Sequence, residues 1–414
     1  MTAVNPKLVV LYIPSLEPRR LDPAVTPFVW AKLAEHGAAT LDTHPSAELL
    51  PTILTGVWPH EHRCWQLIRR PPRPRTAPEK LIDLLPDRLT TAAQCVRHLF
   101  DSEYDIPTIE PRRRRQFELA RIKTQRREGG DTEALKFAAA SVFDLIPGEG
   151  RFRTLFSLDG ADGGIAGMID GQADLDIIEL YTLDLFSHWN LDRPNAMRER
   201  LSTVDRLIAD ACAKAKTMGL PVLLVVDHGQ ELVRHTIDLR PVLRAAGVSP
   251  NDFTFYREVG NARFWFDTPE AQAKLEAALR QVNHATYLTA EQMAEHHIHF
   301  AADEGYGDGY LVCDAGTVLF PHDYYHPLVN AYMARKTSEQ ATRKTSPVHR
   351  GNHGGLPGHH PSDTGTLLPL IGCGPLAADQ GQLIDVAPTI LTLMGQPIPE
   401  AMPGRSLMSS TIGD

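Results

Sequence analysis

The sequence of 414 residues is poor in cysteine, has no long apolar run and has no excess of basic side chains. Its cysteines are odd in number and form no CxxC pair, so neither a disulfide framework nor a thiolate zinc site is indicated; they are Cys64, Cys95, Cys212, Cys313 and Cys373. No apolar run reaches the roughly 18 residues of a transmembrane helix. Lys and Arg number 42 against 51 Asp and Glu, a formal charge of −9. This balance disfavours general nucleic-acid binding, because neutralising phosphates needs surplus basic groups.

The first sixteen residues have no basic leader followed by a small-residue cleavage site. We interpret them as a first buried strand rather than a signal peptide, and expect a cytoplasmic protein that does not bind membranes. What the chain does have is 18 histidines. Histidine titrates near neutral pH and is the commonest metal ligand, although any single histidine is more often a surface or core residue.

Short apolar runs alternate with helical patterns, which predicts an α/β fold with a mainly parallel sheet sandwiched by helices. The predicted strands are Leu8–Ile13, Thr154–Leu158, Ile177–Tyr181, Val222–Val226 and Leu367–Ile371. Predicted helices run from Thr26-Pro27 to Gly37, from Asn195 to Met218, and from a capping Asp385 through Leu393 to Gly395.

Residues 235–345 change character and predict a smaller α+β insertion, which divides a core formed by 1–234 and 346–414. "FTFYREVGNARFWFDT" is extended and aromatic, "PEAQAKLEAALRQV" is helical and "GYLVCDAGTVLF" indicates a hairpin. Pro71, Pro72, Pro74 and Pro78 mark a loop in the core.

The strongest local charge feature is the basic stretch Arg112–Arg115 with the cations at 121, 123, 126 and 127. One interpretation is a lip that attracts a phosphorylated substrate. The other, which we favour, is a solvated helix face.

Acidic residues and histidines follow two of the predicted strands. Asp184 and His188 come after 177–181, and their i, i+4 spacing lets them face one ligand. Asp227-His228-Gly229 follows Val222–Val226, at the strand end where open α/β sheets build their sites. The loop "GNHGG" carries His353 between glycines that permit close backbone approach. Ser46 lies nine residues before Thr55-Gly56.

Taken in order, these segments resemble the alkaline phosphatase superfamily, nearest its nucleotide pyrophosphatase/phosphodiesterase branch. "LTGVWPHEH" is similar to the family's "lTG..P..HGi", "VVDHGQ" to "vsDHGm" and "GNHGG" to the late His-Gly loop. "IDVAPTILTLMGQPIPEAMPGRSL" is similar to the family's tail "vDiaPTil.llG.p.p..m.GrsL". The resemblance runs through most of the core, and the tail and the DHG segment are its most specific parts.

The resemblance implies two zinc ions, or similar divalent ions, and a serine nucleophile. One ion would be held by Asp184, His188 and His353, and the other by Asp227, His228 and the Ser46 oxygen. Metal binding lowers the pKa of a hydroxyl, so Ser46 would attack phosphorus and form a phosphoseryl intermediate that water then hydrolyses. The implied substrate is a small-molecule phosphate ester or nucleotide.

The chain departs from the family pattern at two places. Where the family has a metal-binding Asp after the first strand, the sequence "LYIPSL" has Pro14, which offers no side-chain ligand; Ser15, Glu17 and Asp42 are nearby candidates to compensate. An Asn that contacts the phosphoryl group in the family, shortly after "HGi", is missing from the corresponding stretch that begins at His62, and Gln66 is a candidate substitute for substrate binding. Thr43 and Thr52 are rivals of Ser46 as the nucleophile.

Three functions therefore stay open from the sequence. The first is a metal-dependent phosphodiesterase or nucleotide pyrophosphatase. The second is a single-metal phosphoryl or phosphonate hydrolase. The third is a non-catalytic binding protein on the same fold, which the loss of the Asp at position 14 allows.

Overall fold

The computed structural model describes residues 6–45, 49–66, 68–70, 84–86, 89, 113, 117–119, 137–155, 164–299, 305–323, 325, 348–353 and 363–409. The strands in this part of the chain are β1 Leu8–Tyr12, β2 Ala39–Asp42, β3 Ile68–Arg69, β4 Glu118–Leu119, β5 Gly150–Leu155, β6 Leu175–Leu180, β7 Val222–Val226, β8 Glu231–Leu232, β9 His235–Ile237, β10 Phe253–Arg257, β11 Asn261–Phe266, β12 Ala285–Thr289, β13 Gly309–Cys313, β14 Thr317–Leu319, β15 Gly351–Asn352, β16 Thr364–Ile371 and β17 Gln380–Gln382.

The helices of the described residues alternate with these strands. They are α1 Pro27–His36, α2 Leu50–Thr55, α3 Pro59–His62, α4 Val142–Leu145, α5 Gly164–Met168, α6 Thr182–Asn190, α7 Pro194–Thr217, α8 Leu239–Ala245, α9 Pro269–Leu279, α10 Ala290–Ala294 and α11 Val386–Leu393, with 3-10 turns at Pro18–Arg20 and Leu383–Asp385. None of these helices is long and apolar enough to cross a lipid bilayer.

The central sheet has seven strands in the order β17-β2-β16-β7-β1-β6-β5. Strand β16 runs antiparallel to both of its neighbours, and every other pairing is parallel. The prediction of a mainly parallel sheet between helices is therefore confirmed. Strands β1 and β7 are buried along their whole length, which explains their continuous apolar sequences.

Each face of the sheet supports its own hydrophobic cluster, because successive side chains of a strand point to opposite faces. On one face, Val10 packs in a cluster with residues of α2 and α11, such as Leu54 and Ile390. On the other face, Leu11 packs in a cluster with residues of α1 and α7, such as Val29 and Val204.

The start of α1 is held by a neighbouring helix rather than by its own first residue. The backbone N–H groups of Phe28 and Val29 donate to the buried carboxylate of Asp205 in α7, at 3.1 and 2.8 Å. Thr26 precedes the helix as expected but makes no side-chain cap; its hydroxyl bonds with Asp22 instead.

The tail segment that most resembles the family is a structural clamp. Asp385 precedes α11 as predicted, but its side chain does not cap that helix; it accepts N–H bonds from Gln382 and Arg405, both at 2.8 Å. Thr389 accepts the N–H of Leu407 at 2.9 Å. The clamped helix α11 packs against α2.

The chain approaches α11 closely at Gly56, directly after α2. Gly56 has φ +64°, and a Cβ there would lie 3.0 Å from atoms of both Ala387 and Pro388. Glycine is therefore required twice, once by the left-handed backbone and once by the close packing.

The region predicted as an insertion contains a four-stranded antiparallel sheet in the order β10-β11-β13-β12, with α9 packed on it. The predicted hairpin within 309–320 is wrong, because β13 pairs with β11 and β12, while β14 pairs in parallel with β9. The domain boundaries at 234 and 346 stay a prediction.

A buried ion pair connects this region to the basic stretch. Asp323 accepts bonds from both terminal nitrogens of Arg113, at 3.1 and 2.7 Å, and from Arg257 through its backbone N–H at 2.7 Å and its guanidinium at 2.9 Å. At Arg113, the solvated-face interpretation is therefore wrong, since this side chain is buried. The other basic residues of the stretch, the proline loop at 71–78 and the end of the strand predicted at 154–158 lie outside the described residues.

Candidate metal and phosphoryl-transfer site

Asp184 and His188 lie on one face of α6, which begins two residues after β6 ends. The His188 Nδ1 atom bonds to the carbonyl oxygen of Gly351 at 2.9 Å, so its N–H points away from Asp184 and leaves Nε2 as the acceptor nitrogen. Nε2 lies 3.6 Å from Asp184 Oδ1. A backbone carbonyl that fixes the tautomer in this way is typical of a metal-binding histidine.

The pairing of two short strands brings His353 close to Asp184 and His188. Strand β15 pairs antiparallel with β8, which follows the Asp227-His228 turn after β7. His353, the residue after β15, consequently stacks on His228, with ring centroids 3.5 Å apart and planes 12° from parallel. The approach of β15 to α6 needs Gly351, where a Cβ would lie 2.8 Å from the Ser187 carbonyl oxygen.

Asp184, His188 and His353 place ligand atoms within 4.8 Å of one another, and this is the only such group of three in the part of the chain that the structure describes. The Nδ1 atom of His353 is buried and has no hydrogen-bond partner among the described residues. Two imidazoles and a carboxylate with room for a further ligand are the donor set of catalytic zinc sites. The residues therefore fit a divalent ion.

The charges of this cluster suit metal binding. Burial by itself would raise the pKa of Asp184, but His188, His228 and His353 outweigh it, so the pKa is lowered and the carboxylate stays ionised. Burial lowers the pKa of His353 well below its usual value, and the neighbouring His228 lowers it further. An ionised carboxylate and a neutral imidazole are the forms that bind metal.

Asp227 and His228 are both buried beside this cluster. Burial raises the pKa of Asp227, although His228 and the Tyr12 hydroxyl act against it. For His228, the carboxylates of Asp227 and Asp184 outweigh burial, and its pKa is raised. The His228 Nε2 atom lies 3.4 Å from Asp227 and 3.9 Å from Asp184.

Three side chains near the first strand form hydrogen bonds to these carboxylates. The Tyr12 hydroxyl donates to Asp227 Oδ2 at 2.6 Å. The Ser15 hydroxyl donates to Asp184 Oδ1 at 2.7 Å, and the Gln230 amide donates to the same oxygen at 2.7 Å. Sequence reasoning missed Tyr12 and Gln230. Gln230 was visible as a polar residue directly after Asp-His-Gly where the family pattern has Met, and Tyr12 as the hydroxyl-bearing end of an apolar strand.

Ser46 lies outside the described residues, so its place relative to the cluster stays a prediction. Both of its rivals use their hydroxyls elsewhere. Thr43 donates to the Asp363 carbonyl at 2.6 Å. Thr52 is fully buried between His44 and His62, with oxygen-to-nitrogen distances of 2.9 and 3.0 Å.

Gln66 is fully buried beside the insertion. In the amide orientation that satisfies its neighbours, its nitrogen donates to both carboxylate oxygens of Glu258 at 3.1 Å. Glu258 also accepts a bond from the fully buried Arg263 at 3.1 Å. This arrangement supplies Gln66 with a structural partner, and its role in substrate binding stays a prediction.

Known structures share this architecture along nearly the whole chain, and the class they define is the alkaline phosphatase-like fold. The similar solved structures include murine ectonucleotide pyrophosphatase/phosphodiesterase 5, an inactive variant of it in complex with AMP, and the human protein. Each has a TM-score of 0.58 and 12% sequence identity, with 97% of both chains covered. The resemblance to the nucleotide pyrophosphatase/phosphodiesterase branch is thus confirmed in the fold.

Sequence comparison gives a shorter match to a second kind of enzyme. The 2,3-bisphosphoglycerate-independent phosphoglycerate mutases of Shewanella pealeana and Shewanella denitrificans are 51% and 47% identical over 51 residues, which is 12% of this chain. The match covers only 10% of either mutase. No protein-family model matches the chain.

Proposed function

We propose that this protein is a metal-dependent phosphoryl-transfer enzyme that hydrolyses phosphodiesters or nucleotide pyrophosphate bonds through Ser46. The observation that carries the proposal is the convergence of Asp184, His188 and His353 at the carboxyl end of the parallel strands. Open α/β sheets build their sites at this edge. The phosphodiesterase-like fold and the short match to phosphoglycerate mutase support phosphoryl transfer as the class of reaction.

Each residue of the cluster has a defined task in this proposal. Asp184, His188 and His353 hold the ion, and zinc is the proposed metal, because two imidazoles and a carboxylate form a known catalytic zinc site. The Gly351 carbonyl keeps His188 in its binding tautomer. When bound, the divalent ion supplies positive charge for the phosphoryl oxygens and the leaving oxygen.

Ser46 would provide the attacking oxygen. In the sequence it lies four residues before α2, and α2 packs against the clamped helix α11. A nucleotide is the proposed ligand, because AMP is bound in the similar murine structure.

The first experiment measures turnover of bis(p-nitrophenyl) phosphate and of a nucleoside triphosphate by the zinc-loaded full-length protein. We expect Ser46→Ala to abolish turnover while the zinc content stays at the wild-type level. The matched control is Ser249→Ala, an exposed serine of the insertion, which should behave as wild type. Unchanged turnover in Ser46→Ala would remove Ser46 from the reaction.

A second experiment separates an enzyme from a binding protein on the same fold. His188→Ala should remove both zinc and turnover. The control is His235→Ala, which alters the exposed stacked pair His235–His284 and reports adventitious zinc at the surface. A wild-type protein that binds a nucleotide but hydrolyses neither substrate would contradict the proposal and favour the binding function.

A further inference from the structure

The residues that the family resemblance assigns to a second metal ion do not fit one in this chain. Besides Ser46, that site would take a carboxylate after the first strand together with Asp227 and His228. Pro14 occupies the position of the first carboxylate.

Neither nearby carboxylate replaces the one that is missing. Glu17 is buried and forms ion pairs with both Arg19 and Arg20, and it also accepts the backbone N–H of Gln230 at 3.3 Å. Asp42 is exposed at the end of β2, two strands away from β7 in the sheet. Ser15, directly after Pro14, contributes a hydroxyl, and that hydroxyl donates to Asp184.

Both carboxylate oxygens of Asp227 accept hydrogen bonds. Oδ2 accepts the Tyr12 hydroxyl at 2.6 Å, and Oδ1 accepts the backbone N–H of His228 at 2.9 Å. Tyr12 lies directly beside Val225 of β7 in the sheet register, two residues before Asp227, so its phenol is held against this carboxylate by the pairing of β1 with β7. A side chain fixed in this way costs little further entropy to keep in place.

Asp184 also accepts hydrogen bonds from uncharged side chains. Its Oδ1 atom accepts from both Ser15 and Gln230, at 2.7 Å each, and Gln230 also donates to Ser15 at 3.2 Å. All three residues are at least 95% buried. Uncharged donors thus orient Asp184, while the Tyr12 hydroxyl bonds to Asp227, the carboxylate that the resemblance assigns to a second ion.

We propose that this protein holds a single divalent ion, on Asp184, His188 and His353, that the Tyr12 hydroxyl takes the place of the second ion as partner of Asp227, and that Ser15 and Gln230 hold Asp184 in position for the first ion. The inference rests on the proposed function only for the presence of the first ion. Tyr12, Ser15 and Gln230 are positioning residues, because they act through Asp227 and Asp184.

Zinc stoichiometry of the full-length protein, measured by mass spectrometry of the metal after equilibration with buffered zinc and by calorimetric titration, tests the inference without any substrate. We expect one ion per wild-type chain, lost in His188→Ala and retained in His228→Ala. Two ions per wild-type chain, or loss of the ion in His228→Ala with retention in His188→Ala, would overturn the single-ion assignment. Two ions would leave the proposed function standing, whereas a wild-type chain without zinc would overturn both.

A variant designed to bind a second ion tests whether Pro14 and Tyr12 are what prevents its binding. Pro14→Asp combined with Tyr12→Phe restores the missing carboxylate and frees Asp227, so we expect a second zinc ion per chain. The matched control is Pro14→Ala with Tyr12→Phe, which lacks the new carboxylate and should stay at one ion. Circular dichroism confirms that both variants are folded, and a folded Pro14→Asp variant that still binds one ion would contradict the role given to Pro14 and Tyr12.

Discussion

Replacing Asp323 by asparagine removes the one negative charge that Arg113 and Arg257 share in their buried ion pair. Burial by itself would raise the pKa of Asp323, but the two guanidinium groups outweigh it and lower the pKa to about 2. Relative to the ordinary value of 3.8, this corresponds to about 2 kcal/mol of stabilisation of the ionised form. Asparagine also takes this shared counter-charge away from two buried guanidinium groups, so we expect the free energy of unfolding to fall by about 3 kcal/mol at pH 7.

The pH dependence of this difference has a definite sign. Because the pKa of Asp323 is lower in the folded state than in the unfolded state, its stabilisation is present at neutral pH and is lost as the pH falls from about 4 to about 2. Urea unfolding followed by circular dichroism at pH 7, 5, 4 and 3 should therefore show a constant gap between wild type and Asp323→Asn down to about pH 4, and a shrinking gap below it.

An exposed Asp–Arg pair provides the control for this experiment. Asp22 forms an ion pair with Arg198 at 3.4 Å at the surface of the core, and Asp22→Asn keeps an oxygen that can accept the N–H of Ala24. Exposed pairs contribute less than about 1 kcal/mol, so this variant should remain close to wild type. The reasoning would be refuted if Asp323→Asn cost no more than Asp22→Asn, or if its cost were unchanged at pH 3.

Three further substitutions test packing, capping and titration. Gly56→Ala places a Cβ against α11 in a left-handed backbone and should lower the free energy of unfolding by about 3 kcal/mol in thermal or urea unfolding. Asp205→Ala removes the acceptor for the first turn of α1 and should cost about 1–2 kcal/mol in the same assays. Burial lowers the pKa of His62 to about 3, so the unfolded chain takes up a proton first and stability falls as the pH drops below about 6.5. His62→Gln should reduce that slope by up to about 1.4 kcal/mol per pH unit between pH 6 and 5, measured by urea unfolding.

Matched variants separate these effects from general damage. Gly219→Ala has the same left-handed strain with nothing within 4 Å of the new Cβ, so an equal cost would contradict the packing argument for Gly56. Asp210→Ala alters an exposed carboxylate on the same helix as Asp205 and should be neutral. If the exposed His235→Gln changed the pH slope as much as His62→Gln did, burial would not be the cause.

The local sequence was enough to predict the strands of the sheet that are buried on both faces. β1 and β7 are buried on both faces, so their apolar sequences identify them without knowledge of their neighbours. The long helix α7 was predicted from Asn195 to Met218 and runs from Pro194 to Thr217, because its amphipathic period and final Gly219 are local signals. The hairpin assigned to β13 and β14 failed because the true partners of these strands come from other parts of the chain.

In the family-like tail, too, the sequence identified the segment but not its contacts. Its residues were recognised as the most specific segment, but their contacts could not be read from their order. Asp385 and Thr389 bind the backbone of residues that follow 20 and 18 positions later, and α11, which contains Thr389, packs against α2. The segment is therefore a structural clamp, and it carries none of the proposed metal ligands.

The sequence by itself determined the α/β class and the residue types of the candidate site, since strand ends carrying Asp-His pairs are local patterns. The sequence also showed that Pro14 stands where the resembled family has a metal-binding Asp. Tertiary structure decided which of these residues meet: the pairing of β15 with β8 brings His353 to α6, and the pairing of β1 with β7 holds Tyr12 against Asp227. The physical reason is that a metal site depends on distances between side chains from separate strands and helices, and only the packing of those elements sets such distances.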